Sequence, residues 1–295
     1  MPDRPGLLVA GSIALDTVGG ASTPIEDELG GSALYFALAA SLIMPVGIAA
    51  PVGAADLERV RDVIGDRPID VSHLKVFDAP TYRWRAQQHV DRNIDLGSQD
   101  SIYDLWDPEV PPRFDGWAFV GSVRPDRQVQ LAERLSGARM LAADSMVSYI
   151  HARRDEAFQV VGRSHWYFCN QDEFAALDGH EPDEFRRRWS LVGLVLKLGP
   201  GGVTAFTDAG SVHVPAPLGR PVVDTTGGGD AVAAGMLARW LTTGARPGGL
   251  GDALVWGVAC ASLTIEDIGL RAIARATPAQ LAERVDEVRE LTRRA

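Results

Sequence analysis

The chain has 295 residues, 46% of them hydrophobic, enough to bury a substantial core as one large domain without disulfide staples. Its 29 basic and 39 acidic residues leave a net charge of −10, which argues against nucleic acid as the main partner because phosphate backbones are held by basic patches. Cys169 and Cys260 sit in apolar runs and read as reduced core thiols, no stretch approaches the roughly 20 apolar residues of a membrane span, and the start "MPDRPGLLVAGS" passes from charge straight into a strand-like segment, so a cytoplasmic location without a membrane partner is expected.

From the N-terminus, "LLVAGSI" (7–13) opens a series of short Val, Ile and Leu runs that continues at 46–53, 117–123, 139–145, 165–170 and 194–199. They are too short for stable helices and lack clean alternation, as strands buried on both faces do. Helical patterns lie between them: residues 30–43 are rich in Ala and Leu, 125–136 are amphipathic, and near the end Leu281, Val285, Val288 and Leu291 recur at spacings of four, three and three. Strand alternating with helix predicts an α/β fold built on a mainly parallel sheet, as a single domain over 1–295.

One region breaks that rhythm. In "TYRWRAQQHV" (81–90), Tyr82, Trp84, Ala86, Gln88 and Val90 alternate with Arg83, Arg85, Gln87 and His89, the period of a strand with two unlike faces. With residues 14–24, just after the first strand, it is expected to form a small sheet standing off the main body, one face toward a ligand. An ordinary exposed edge strand fits the same alternation. His89 and His151 belong to no HExxH, CxxC or Ser/His/Asp arrangement and are not expected to bind metal or act in catalysis.

The stretch "VDTTGGGDAVAAG" (223–235) carries the chemistry. Glycine lets the backbone take positive φ and approach a ligand without a Cβ in the way. The first N–H groups of a helix lack internal partners and sit at the positive end of its dipole, so Gly227, Gly228 and Gly229 can cradle an anion. Asp230 at the junction reads as a helix cap or as a proton acceptor beside that anion. Phosphoryl transfer asks for both parts, donors for the equatorial oxygens and a base orienting the attacking hydroxyl. The chain has no G-x-x-x-x-G-K-[ST] loop and no G-x-G-x-x-G after its first strand.

These residues resemble the C-terminal signature of the ribokinase-like (PfkB) carbohydrate kinases, D-T-x-G-A-G-D followed by small residues. The resemblance covers nearly the whole chain: "GSIALD" and "GGSALYFALAAS" are similar to the N-terminal sugar-binding segment and double glycine, "CNQDEF" to the N-x-x-E motif, and "LKLGPGG" to the L-G-x-x-G turn. It implies a three-layer α/β/α sandwich with a small β-sheet lid, here about 14–24 and 80–107, through which such kinases often dimerise. It implies an ATP-dependent kinase of a small sugar or nucleoside, in which Asp230 is the base and the amides of Gly227–Asp230 are the anion hole. Asn170 and Glu173 would organise Mg²⁺ and its waters. Lys197, Gly199, Gly202, Thr225, Gly227 and Gly229 would line the nucleotide, with 260–269 beside the adenine. Asp16, Gly30 and Gly31 would hold the acceptor's hydroxyls, joined by Tyr35, Arg83, Asn93 and Asp230, and K⁺ is a further cofactor that some members respond to.

Two positions depart from the family pattern. Gly228 replaces the alanine of the G-A-G-D turn, keeping the backbone donors, and Tyr35 stands where an asparagine is common. That loss argues against plain ribokinase or fructokinase specificity, and with Phe36, Trp84 and Trp106 nearby it favours stacking on a nucleobase, although the same aromatics also suit a core. The nearest branch is that of carbohydrate kinases with nucleoside-kinase members. A ligand-binding regulator that kept the fold, and a nicotinamide-dependent oxidoreductase, are the competing readings.

Overall fold

The computed structural model describes residues 6–19, 25–88 and 93–294. Along them run thirteen strands: β1 (Leu7–Ala10), β2 (Ala14–Gly19), β3 (Ile25–Gly30), β4 (Val46–Gly53), β5 (Ile69–Phe77), β6 (Tyr82–Gln88), β7 (Asn93–Gln99), β8 (Trp117–Val120), β9 (Met140–Ala143), β10 (Trp166–Asn170), β11 (Gly193–Lys197), β12 (Val203–Thr207) and β13 (Gly210–Val214). Nine form the main sheet, in the order β13-β12-β11-β10-β9-β8-β1-β4-β5. All neighbours are parallel except β11/β12 and β12/β13.

The unbroken apolar runs are the strands buried on both faces. In β1, Leu7 and Val9 point into one core while Leu8 and Ala10 point into the other. The first core is closed by the helices Ser32–Ala40, Gly228–Thr242, Leu250–Thr264 and Pro278–Arg294, the second by Pro125–Arg134, Arg154–Arg163, Gln171–Ala176 and Pro182–Arg188. This is the expected three-layer sandwich. The sheet extends beyond the six expected strands at both margins. There β5 exposes Val71 and Val76, and β12 and β13 pair as an antiparallel hairpin.

A second sheet, β3-β2-β6-β7, is the lid. β2 pairs antiparallel with β3 and parallel with β6, and β6 pairs antiparallel with β7. Of the expected lid strands, residues 20–24, His89 and Val90 lie outside the described residues. Residues 102–105 form a helical turn whose Ile102 and Tyr103 pack in the core with Trp106. Among the described residues no helix is long and apolar enough to cross a membrane, and both cysteines are buried free thiols.

Candidate active site

In open α/β sheets ligands gather outside the carboxyl ends of the strands, where the strand order reverses. Here β1 has β4 on one side and β8 on the other, and the carboxyl ends of β1, β9, β10 and β11 deliver Gly11–Ser12, Asp144, Asn170 and Lys197. The start of the Gly228–Thr242 helix closes the same space.

The turn into that helix is shaped by packing. Gly227 is its N-cap, with φ +74°, and a Cβ there would overlap the ring of Tyr35. The N–H of Ala231 donates to the Gly227 carbonyl at 2.9 Å and that of Gly228 to the Thr225 carbonyl at 3.3 Å. The N–H groups of Gly227 and Gly229 have no partner among the described residues, and that of Asp230 faces its own carboxylate. Asp224, 3% exposed, fixes the approach: Oδ1 accepts from the Thr226 N–H (3.0 Å) and hydroxyl (2.7 Å), and Oδ2 from the Gly269 N–H (3.0 Å). It thereby ties the glycine turn to the loop after the Leu250–Thr264 helix.

Asp230 is half-buried, and its carboxylate makes no hydrogen bond to another residue among those described. Burial foremost, then the charge of Asp144, pushes its pKa to about 7 against the pull of Lys197. The Lys197 ammonium lies 2.5 Å from Asp144 Oδ2 and 3.7 Å from Glu173 Oε2, and a Cβ on Gly229 would stand 2.9 Å from it. Burial opposes its charge, but the two carboxylates outweigh that and hold it above the usual lysine range. A cation thus sits close against the backbone of Gly229. Asp144 is the residue that motif reading misses: it follows β9 alone, and only the assembled sheet brings it to Lys197.

Asn170 and Glu173 form a reciprocal capping box for the helix Gln171–Ala176. The Glu173 N–H donates to Asn170 Oδ1 at 2.8 Å, and the Asn170 N–H to Glu173 Oε2 at 2.7 Å. Glu173 is 7% exposed, and burial lifts its pKa to about 7 against the pull of Lys197. Among the described residues no cluster of three or more His, Cys, Asp or Glu could hold a metal ion alone. A magnesium ion that keeps most of its waters and takes oxygens from phosphate fits such a sparse donor set, and a fully protein-ligated ion does not. In the expected nucleotide turn, Gly199 (φ +56°) is exposed, while Gly202 (φ +88°) is buried against Val214 and Pro215. Thr225 is half-buried beside Gly228.

On the acceptor side, Asp16 is 5% exposed and presses against Gly30, where a Cβ would overlap its carboxylate. Gly31 takes φ +99°, and a Cβ there would stand 2.5 Å from the Ser12 carbonyl oxygen. Burial foremost, then Asp224 and Asp230, raises the Asp16 pKa to about 8. Tyr35 is 1% exposed, its ring lies under Gly227, and its hydroxyl has no hydrogen-bond partner among the described residues. Asp16, Gly30, Gly31, Tyr35 and Asp230 are thus brought together. Arg83 is not: it pairs with Asp27 on the half-exposed surface of the lid. Asn93 starts β7 opposite Gln88 in register, and its side chain lies outside the described residues. Phe36 stacks on Phe119 and Trp106 packs beside Tyr103, both in the cores, whereas Trp84 is half-buried in the lid. Ile268, within the stretch 260–269 expected beside the adenine, packs with Val18, Ala86 and Trp84 of the lid.

A doubly wound sheet, a lid and a glycine turn ahead of a helix bearing an aspartate define a small-molecule kinase of ribokinase-like fold. The family model for pfkB family carbohydrate kinases matches residues 127–277, just over half of the chain, and the chain belongs to that family. It is 26% identical over 245 residues to a cytidine kinase from Thermococcus kodakarensis, covering 79% of this chain and 87% of the relative. It is 32% identical over 170 residues to an ATP-dependent ribose-1-phosphate kinase from Halopiger xanaduensis, covering 56% of this chain and 54% of that one. A Burkholderia thailandensis nucleoside kinase solved in complex with inosine has the same fold, with a TM-score of 0.78 at 19% identity over 96% of this chain and 98% of that one.

Proposed function

We propose that the chain transfers the γ-phosphoryl group of ATP to a hydroxyl, a primary one, of a small sugar or nucleoside. Asp230 takes the hydroxyl proton as the new P–O bond forms, the bond to the β-phosphate oxygen breaks, and ADP leaves. The amides of residues 227–230 receive the charge on the transferring group, and the Lys197 ammonium adds a fixed positive field beside Gly229. Asn170 and Glu173 would hold Mg²⁺ through water, and the ion would supply positive charge to the phosphates. Lys197, Gly199, Gly202 and Thr225 face the nucleotide, and Asp16, Gly30, Gly31 and Tyr35 the acceptor.

The observation that carries this reading is the half-buried Asp230 beside the N–H groups of Gly227 and Gly229, which have no partner among the described residues. A structural cap would spend its oxygens on those amides of the first turn, and Asp230 spends them on no other residue among those described. The acceptors named for the two relatives, cytidine and ribose-1-phosphate, both contain ribose, which supports a ribose-bearing acceptor here. The test is ADP release with Mg·ATP over a panel of sugars, nucleosides and ribose-1-phosphate, with and without K⁺. Acceptor-dependent ADP is expected from at least one ribose-bearing compound. Binding of such a compound with no ADP from any of them would instead identify a regulator.

A further inference from the structure

Two kinds of ribose-bearing acceptor satisfy the proposed function, an uncharged nucleoside and a sugar phosphate. We infer that the acceptor site takes the uncharged nucleoside and rejects the phosphorylated sugar, because the lid face bearing Asp16 offers carboxyl groups and aromatic surface and the two arginines of β6 lie on the other face. The inference rests on the kinase reading of this pocket and narrows its substrate class.

The strand register fixes which lid residues share a face. Asp16 on β2 is paired with Glu28 on β3 and with Trp84 on β6, and Trp84 in turn with Ser98 on β7. Directly paired residues project to the same side of a sheet, and residues two apart along a strand do likewise. Ala14, Val18, Tyr82 and Ala86 therefore join Asp16, Glu28 and Trp84. Leu15 is paired with Arg83 and Thr17 with Arg85, which puts both arginines of β6 on the other face. Burial agrees: Val18 and Ala86 are 2% and 1% exposed, while Arg85 is exposed.

The remaining cations around the pocket are committed among the described residues. Arg83 is held by Asp27, Arg271 by Glu28, and Lys197 by Asp144 and Glu173. Among the described residues, a phosphate on the acceptor would meet the carboxyl groups of Asp16, Asp230 and Glu28 and no uncommitted guanidinium on that face, so its charge would lose water with no cation to replace it. A neutral ligand meets different chemistry. Trp84 packs with Val18, Ala86 and Ile268 into an apolar patch, and Trp84 Nε1 and the hydroxyl of Tyr35 are buried with no hydrogen-bond partner among the described residues. Buried polar groups of this kind are satisfied by something, and the oxygens and ring nitrogens of a ribose and a base suit them.

The experiment compares the full chain's binding and turnover of cytidine, inosine, ribose and ribose-1-phosphate. Binding is read by calorimetry and turnover by ADP release with Mg·ATP. A nucleoside is expected to exceed ribose-1-phosphate in affinity and in kcat/KM by about 100-fold or more, and ribose-1-phosphate to bind more weakly than ribose itself. Glu28→Gln, which removes one carboxylate and releases Arg271, should narrow the gap by about tenfold. Ribose-1-phosphate bound or phosphorylated as well as the nucleosides would overturn the inference and leave the kinase standing. Failure to bind either class would overturn it as well. Nucleosides bound with the expected preference but never phosphorylated would remove the proposed function and keep the charge filter. If Glu28→Gln fails to fold, the wild-type binding comparison decides alone.

Discussion

Asp230→Asn is expected to lower kcat by about 10² to 10⁴-fold, the usual cost of losing a positioned base, while ATP still binds. Asparagine keeps the shape and a hydrogen bond to the acceptor hydroxyl but cannot take its proton. With a pKa near 7 in the ligand-free site, the wild-type carboxylate is only partly ionised at neutral pH, so kcat/KM should climb through about pH 7 and level off above it. The variant should lack that limb.

The fold should not suffer from the exchange. In the unfolded chain the group loses its proton around the ordinary value of 3.8, and in the fold only near 7. Between those values the unfolded state binds fewer protons, so the carboxylate subtracts stability as pH rises through that window. Asparagine carries no such cost. Thermal unfolding at pH 8 should therefore give a Tm equal to or above wild type, and a strong fall would mark Asp230 as a structural cap.

Gly227→Ala is expected to damage both the fold and the chemistry. An L-residue forced into the left-handed region costs roughly 1–2 kcal/mol. The new methyl would also drive into the ring of Tyr35, which is packed in the core with no room to retreat, and overpacking of that kind costs typically about 1–3 kcal/mol. Relief comes only by moving the turn, which shifts the amides of residues 227–230 away from the phosphoryl group. Removal of one donor of this type lowers kcat by about 10²–10³-fold. A measured Tm drop with kcat lost at saturating substrates is the predicted pair. A variant of lowered Tm but wild-type kcat would mean that these amides hold no reacting group.

The strands that form the middle of the main sheet were legible because their apolar runs are unbroken, and unbroken runs mean two buried faces. The margins were not, since β5 (Ile69–Phe77) and the β12/β13 hairpin mix polar and apolar residues as half-exposed strands do. In the site, the glycine turn announces itself through composition. Asp144 does not, because one aspartate after "MLAA" becomes meaningful only when β9 and β11 stand on either side of β10 and carry it to Lys197. Asn170 and Glu173 illustrate the converse difficulty. The letters N-x-x-E spell both a magnesium motif and a helix cap, and the geometry shows the cap fully formed. The part played by Asp224 was hidden for a third reason: its partner, Gly269, is 45 residues away along the chain.

The open peptide N–H groups of Gly227 and Gly229, at the start of the Gly228–Thr242 helix, are expected to receive the phosphoryl group in flight. Amide proton chemical shifts of Gly227 and Gly229 in labelled protein report this directly, on addition of a nucleoside, Mg·ADP and aluminium fluoride as a mimic of the transferring group. Both resonances should move strongly downfield when all components are present, as donors to an anion do. Unmoved resonances in protein shown by calorimetry to have bound the nucleotide would contradict it.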